Sequence, residues 1–315
     1  MVAKIFIDGE AGTTGLQIRE RLEGRRDLEL LTIDPFLRKD ADARRDCLNS
    51  ADVVILCLPD AAAREAVALI ENPRARVIDA STAHRTAKGW TYGFPEMTAD
   101  QRQLIANATR VSNPGCWSTG FIALIRPLVT TGMVPPSWPL TAGGVSGYSG
   151  GGKSMIAEFE AEDAANYTTA PYRLYGLAMG HKHIPEMQVY GGLTATPVFS
   201  PAVGRYYKGM IVEVPLPLYS LPGSPSLSDL HKTLSAAYTG EEYVEVANLE
   251  ACRSTTSLGP ELLNGTNTIR LHVFGSEEPA QARLVAVFDN LGKGASGAAV
   301  QNLNIMLGLD EGAGL

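Results

Sequence analysis

Short β-branched, apolar runs and amphipathic stretches alternate through the first third of the chain. Residues 4–8 form a strand-like run that leads into Gly9-Glu10-Ala11-Gly12-Thr13-Thr14-Gly15, after which Leu16, Ile18 and Leu22 recur at near-helical spacing. The pattern predicts strand, glycine turn, helix. It then repeats, with strands at 28–33, 53–58 and 76–79 and helices at 41–49 and 61–70. Such alternation predicts an α/β fold with a Rossmann-type, doubly wound parallel sheet. After Cys116 the pattern changes. An apolar helix over 120–129 gives way to Pro135 and Pro136, then to strand-like runs at 193–199, 210–216, 243–246, 268–274 and 283–288. Helical stretches fall at 154–165 and 227–238, so this part reads as α+β with a mixed, largely antiparallel sheet. The last segment, 295–309, reads as a helix with one apolar face.

Length agrees with that division: 315 residues suit two domains of about 150 each. A net charge of −7 without a basic block excludes an electrostatic footprint for nucleic acid or anionic membrane and favours a small-molecule partner. The apolar run 121–125 is broken at once by Arg126 and Pro127, far short of the ~20 residues that a membrane-spanning helix needs. Asp8 and Glu10 interrupt the start of the chain, so export is not expected. Cys47, Cys57, Cys116 and Cys252 form no C-x-x-C pair and predict reduced thiols in a cytoplasm.

Ligands of doubly wound sheets bind beyond the carboxyl ends of the strands, which directs attention to the glycine turn, Asp34, Pro59, Ser81 to Arg85, and Asn113 to Cys116. The turn is spaced Gly-x-x-Gly-x-x-Gly, a departure from G-x-G-x-x-G, but Gly9, Gly12, Thr13, Thr14 and Gly15 would still bring backbone N–H groups and a helix N-terminus to a pyrophosphate. Asp34 fits either a ribose contact or a simple turn before Pro35. Arg38 and Lys39 fit a 2′-phosphate, so this region leaves NAD and NADP open.

Cys116 follows a Pro-Gly turn and precedes an apolar helix. A thiol at a helix N-terminus is shifted toward thiolate, and the uncapped N–H groups stabilise an oxyanion. Cys47, Cys57 and Cys252 read as small buried apolar residues. His181 and His183, with Glu186 three residues on, supply an acid–base and a carboxylate to orient it; His183 is favoured because of Glu186. A metal site built on these histidines and Cys116 is a weaker alternative, and no metal is expected. Arg85 suits a substrate phosphate or carboxylate, or equally a surface ion pair. The glycine-rich loop 143–153 reads as a flexible flap or an ordinary surface loop, and His231 as a solvated helix position.

Together these residues resemble the N-acetyl-gamma-glutamyl-phosphate reductases, in their shorter bacterial form. The likeness rests on the Gly9 to Gly15 turn, Ser112-Asn113-Pro114-Gly115-Cys116, the segment 181–186 and the glycine-rich segment 289–302. The resemblance implies NADP as cofactor, an architecture shared with aspartate semialdehyde dehydrogenase, and a last helix that returns to the cofactor domain. It implies a dinucleotide-binding domain over 1–115 completed by 290–315, and a catalytic and oligomerisation domain over 116–289. The implied reaction is NADPH-dependent reduction of an acyl phosphate through a Cys116 thioester, in arginine biosynthesis, by a homodimer or homotetramer. His183 would move protons with Glu186 orienting it. Arg85, Asn113, Ser149 and His181 would meet the substrate, and Pro59, Ser81 and Asn290 the cofactor. Another acyl phosphate, or a dinucleotide sensor without catalysis, is the alternative. The family's longer form has a more regular glycine turn and an extended second domain, which bears on individual substrate contacts.

Overall fold

The computed structural model describes residues 2–315. The chain divides into two compact units: one runs to Gly115 and takes in Ala295–Leu315, the other is Cys116–Gly294.

The first unit holds β1 (Ala3–Asp8), α1 (Thr13–Leu22), β2 (Leu28–Leu31), α2 (Ala41–Ser50), β3 (Val53–Leu56), α3 (Asp60–Ala68), β4 (Arg76–Asp79), β5 (Thr91–Tyr92), α4 (Gln101–Asn107) and β6 (Arg110–Ser112). Its six strands pair in the order β2-β1-β3-β4-β6-β5, every pair parallel. Side chains alternate across a strand, so Ile5 and Ile7 of β1 and Val53 and Ile55 of β3 face one way, against Ile18 and Leu22 of α1. Phe6, Val54 and Leu56 face the other, against Leu48, Ala63 and Ala66 of α2 and α3. Both faces are covered, which is why these strands read as unbroken apolar runs. Each buried Ile, Val or Leu contributes roughly 1.5–3 kcal/mol by leaving water. The C-terminal helix of this unit (Gly297–Leu307) packs on α1, α4 and β4. It is buried on nearly every side, Gln301, Asn302 and Asn304 included, rather than on one apolar face. Its polar side chains find internal partners: Gln301 donates to Glu96 at 2.7 Å and Asn302 to the Gly93 carbonyl at 2.9 Å.

The second unit opens with α5 (Cys116–Thr130) and continues through β7 (Thr141–Gly147), α6 (Gly152–Glu160), β8 (Tyr172–Leu174), α7 (Ile184–Tyr190), β9 (Val198–Gly204), β10 (Met210–Pro217), α8 (Leu227–Ala237), β11 (Val244–Val246), α9 (Leu249–Ser254), β12 (Ile269–Glu277) and β13 (Ala280–Phe288). Its seven strands lie in the order β11-β12-β13-β10-β7-β9-β8, parallel only at β11–β12 and β7–β9. The α5 helix packs on β10, β12 and β13. It carries Pro127 in its interior, which leaves the Ala123 carbonyl without its usual i+4 donor; the Tyr238 hydroxyl donates to that carbonyl at 2.8 Å instead.

Three expectations are corrected. Residues 143–147 are not loop but the last five residues of β7, flanked by β10 and β9. The strand expected at 193–199 begins only at Val198, because the Thr194 N–H is used to bond Pro136 rather than a sheet neighbour. His231 is half-buried, its Nε2 at 3.1 Å from the Ala247 carbonyl oxygen, rather than solvated.

Candidate active site

Within the second unit, Cys116 is the first residue of α5, where N–H groups have no intrahelical acceptor. The turn before it is anchored in the first unit by Asn113. Its N–H bonds the Asp79 carbonyl at 2.8 Å, its Nδ2 donates to the Ala295 carbonyl at 2.9 Å, and its Oδ1 accepts from Asn302 at 3.2 Å. These bonds hold the turn. The other three thiols are disfavoured as nucleophiles: burial pushes Cys57 up to about 12, helped by Asp79 and Asp8, and also raises Cys47 and Cys252.

A cavity of about 140 Å³ in the second unit is lined by Cys116, Trp117, Tyr175, His181 and His183, among others. The two imidazole rings lie 4.8 Å apart. The His183 N–H donates to Nδ1 of His181 at 3.2 Å, so a neutral His181 carries its proton on Nε2. His183 is the more deeply buried of the two; its Nε2 is 3.8 Å from the Glu186 carboxylate, itself buried in the first turn of α7. Pro185 suits that first turn because its missing N–H would have no intrahelical acceptor there. From α5, the Ser118 hydroxyl donates to the His183 carbonyl at 3.3 Å, tying the histidine segment to the nucleophile's own helix.

Tyr175 escaped the sequence reading, and nothing in Leu174-Tyr175-Gly176 marks it. Burial raises its phenol, and negative charge on Cys116 raises it further, against a lowering hydrogen bond with Trp117. It is therefore a neutral O–H donor beside the thiol at any physiological pH. Ser149 and Asn290 are likewise buried, but they serve each other: Asn290 donates to the Ser149 hydroxyl at 3.1 Å and accepts from the Gly209 N–H at 2.7 Å. Gly294 completes this site, since a Cβ there would stand 2.8 Å from that of Cys116.

In the first unit the glycine turn is sterically required. Gly9 has φ +91°, and a Cβ on it would lie 2.4 Å from the Cys57 carbonyl oxygen; one on Gly15 would lie 2.5 Å from that of Gly9. Gly12 caps α1 without a side-chain bond, and Thr13 and Thr14 open the helix, so its first N–H groups have neither an intrahelical acceptor nor a side-chain cap. Pro59 holds the same place before α3. Beside the turn, a cavity of about 270 Å³ is lined by Gly9, Glu10, Arg38, Lys39 and Arg44. Arg44, also missed in the sequence, reaches in from α2 and pairs with Asp8 at 2.8 Å. Asp34 accepts from the Phe36 N–H at 2.8 Å and so makes a turn. The cradle fits a dinucleotide phosphate by backbone geometry and charge.

Ser81 is tied to the buried Asp79, its hydroxyl donating at 2.7 Å. His84 approaches the same carboxylate at 2.6 Å and stacks on Trp90. Arg85 is buried, its Nε donating to the Asn113 carbonyl at 3.2 Å, which removes the surface-ion-pair reading. Among the described residues no group of three His, Cys, Asp or Glu side chains is placed to hold a metal, and no helix is long and apolar enough to cross a membrane.

Comparison with known proteins agrees with this architecture. Family models described as the semialdehyde dehydrogenase NAD binding domain and dimerisation domain match residues 15–105 and 116–290. A protein of Nostoc sp. named N-acetyl-gamma-glutamyl-phosphate reductase 2 is 54% identical, with 99% of each chain covered. The N-acetyl-gamma-glutamyl-phosphate reductase of Chelativorans sp. is 55% identical over 98% of this chain and 99% of its own. Among solved structures, Vibrio cholerae aspartate semialdehyde dehydrogenase II in complex with ASA has a TM-score of 0.73 at 13% identity, covering 98% of both chains. The Candida albicans aspartate semialdehyde dehydrogenase with NADP has a TM-score of 0.65 at 14% identity, covering 98% of this chain and 99% of its own; both share the two-part fold. A helix-borne cysteine, a buried histidine with its carboxylate and near-complete coverage by these relatives lead to one assignment: the chain belongs to the N-acetyl-gamma-glutamyl-phosphate reductase family.

Proposed function

We propose that this chain reduces N-acetyl-L-glutamyl 5-phosphate to N-acetyl-L-glutamate 5-semialdehyde and phosphate with NADPH, as a step of arginine biosynthesis. The observation that carries the reading is the cavity that joins Cys116, at the start of α5, to the His181–His183 pair, with the Glu186 carboxylate 3.8 Å from Nε2 of His183.

The Cys116 thiolate attacks the carbonyl carbon of the acyl phosphate. The N–H groups at the start of α5 and the Tyr175 hydroxyl stabilise the oxyanion, the C–O bond to phosphate breaks, and a thioester remains. NADPH, when bound, supplies the hydride that reduces this thioester. His183 then protonates the alkoxide of the thiohemiacetal and takes that proton back as the C–S bond breaks and the semialdehyde leaves. Glu186 holds the imidazole and stabilises its cationic form. His181, with its proton on Nε2, donates to the substrate. Arg85 and Asn113 act one step back, by fixing the turn that delivers Cys116, and Asn290 does the same for Ser149 and its turn. Gly9, Gly12, Thr13, Thr14 and Gly15 hold the coenzyme pyrophosphate, Pro59 and Ser81 border it, and Arg38 with Lys39 takes the 2′-phosphate. The protein works in the cytoplasm as a homodimer or homotetramer assembled through its second unit, in keeping with four free cysteines and the dimerisation-domain match.

The test is NADP⁺ reduction with N-acetyl-glutamate semialdehyde, followed by NADPH absorbance, with and without phosphate, on wild type and Cys116→Ala. Activity that requires phosphate and drops at least about 10³-fold in the variant is expected. Turnover with aspartate semialdehyde in place of the acetylated aldehyde would move the substrate assignment.

A further inference from the structure

A carboxylate inside a phosphate-binding turn is out of place on charge alone, yet Glu10 stands between Gly9 and Gly12. Its side chain is only 14% exposed and is clamped by two guanidinium groups: Arg19 from α1, and Arg38, whose Nη2 donates to Oε1 at 2.7 Å. Two cations against one anion leave the turn positive.

The three cations that line this cavity are held differently. Arg44 is locked on Asp8 by two donors, at 2.8 and 3.3 Å. Among the described residues Lys39 has no carboxylate partner. Arg38 rises from a segment that packs little, where Phe36 is 95% exposed, and among the described residues Glu10 is its one ionic partner. Free, so long a side chain on an exposed turn would sample many rotamers and would have to be ordered whenever a phosphate arrived. Held at one Nη, it keeps its remaining N–H donors for a second anion and has already lost that freedom.

We propose that Glu10 is a positioning residue that sets the preference of this chain for NADPH over NADH, by holding Arg38 over the ribose end of the cavity. The inference rests on the reading of this rim as the 2′-phosphate site. Glu10 does not touch the phosphate; it acts through Arg38. Its own charge opposes any dinucleotide, so its removal leaves NADH binding unchanged or slightly tighter while weakening NADPH. A merely structural role would weaken both together.

The experiment is equilibrium titration of NADPH and NADH, by calorimetry at fixed ionic strength, into wild type, Glu10→Gln, Arg38→Ala, Lys39→Ala and the Glu10→Gln/Arg38→Ala double variant. The expected result is a fall of about tenfold in the NADPH-to-NADH affinity ratio for Glu10→Gln, the loss of about one ordered charge-assisted contact. Retained NADH binding certifies the fold. In the double variant the ratio should match that of Arg38→Ala alone. An unchanged or increased ratio in Glu10→Gln, with Arg38→Ala lowered, overturns the proposal and leaves the rim assignment intact. A ratio indifferent to both Arg38→Ala and Lys39→Ala overturns the rim assignment, and the proposal with it. Should Glu10→Gln fail to fold, Arg38→Lys, which keeps the charge and loses the fork, decides: a ratio as high as wild type refutes the bridging geometry.

Discussion

Two glycine-rich segments of this protein look alike in composition and differ in every other respect. Gly9 to Gly15 is a turn between a strand and a helix, with an uncapped helix start and a cationic rim. Gly143 to Gly147 lies inside a seven-stranded sheet, where Gly144 adopts φ +135° and a Cβ would fall 2.0 Å from the Ile211 carbonyl oxygen. The first needs glycine so that the end of β3 and its own helix can approach; the second needs it so that neighbouring strands can. Glycine density reports a close approach but not what approaches.

Substitutions sharpen that contrast. Gly144→Ala should do the greatest damage, because positive φ and a backbone clash coincide between two flanking strands; a loss above about 4 kcal/mol, read by urea denaturation or as insoluble protein, is expected. Gly9→Ala should cost less, about 2–4 kcal/mol, and should weaken NADPH and NADH alike, unlike Glu10→Gln. If the two glycine variants lost equal stability with coenzyme binding intact, the distinction between them would collapse. Gly294→Ala should cost about 1–3 kcal/mol of stability yet reduce kcat/KM about 100-fold by displacing Cys116. The mildest probe is alkylation by iodoacetamide near pH 8. Cys57, held protonated until about 12, and the raised Cys47 and Cys252 should react at least about tenfold more slowly than Cys116. Because the raised groups stay neutral as pH climbs, that contrast should persist up to the ordinary thiol range and above it; equal rates for all four would remove the case for a distinct nucleophile.

How far the sequence reads can be seen residue by residue. The run 4–8, the apolar strand at Val53–Leu56 and the helix after Cys116 were legible because local periodicity and burial coincide there. Cys116 and the 181–186 segment were legible because their neighbours, Pro114-Gly115 and Pro185, are local turn and helix-start signals. Strand β7 was not, since its pairing partners lie about fifty-five to seventy positions away by register. Tyr175 and Arg44 reach their sites from an edge-strand exit and a helix side, where no neighbouring residue announces them.

By itself, then, the sequence determined the alternation of strand and helix, the thiol at a helix start and the paired histidines, because each depends on residues a few positions apart. Only the tertiary structure decided that Asn113 bonds the Ala295 carbonyl, that Asn290 bonds Ser149, that Arg85 is buried against the Asn113 carbonyl, and that Glu10 pairs with Arg38. Those roles depend on which groups meet after the chain has folded, and a hydrogen bond between distant residues leaves no local periodicity in the sequence.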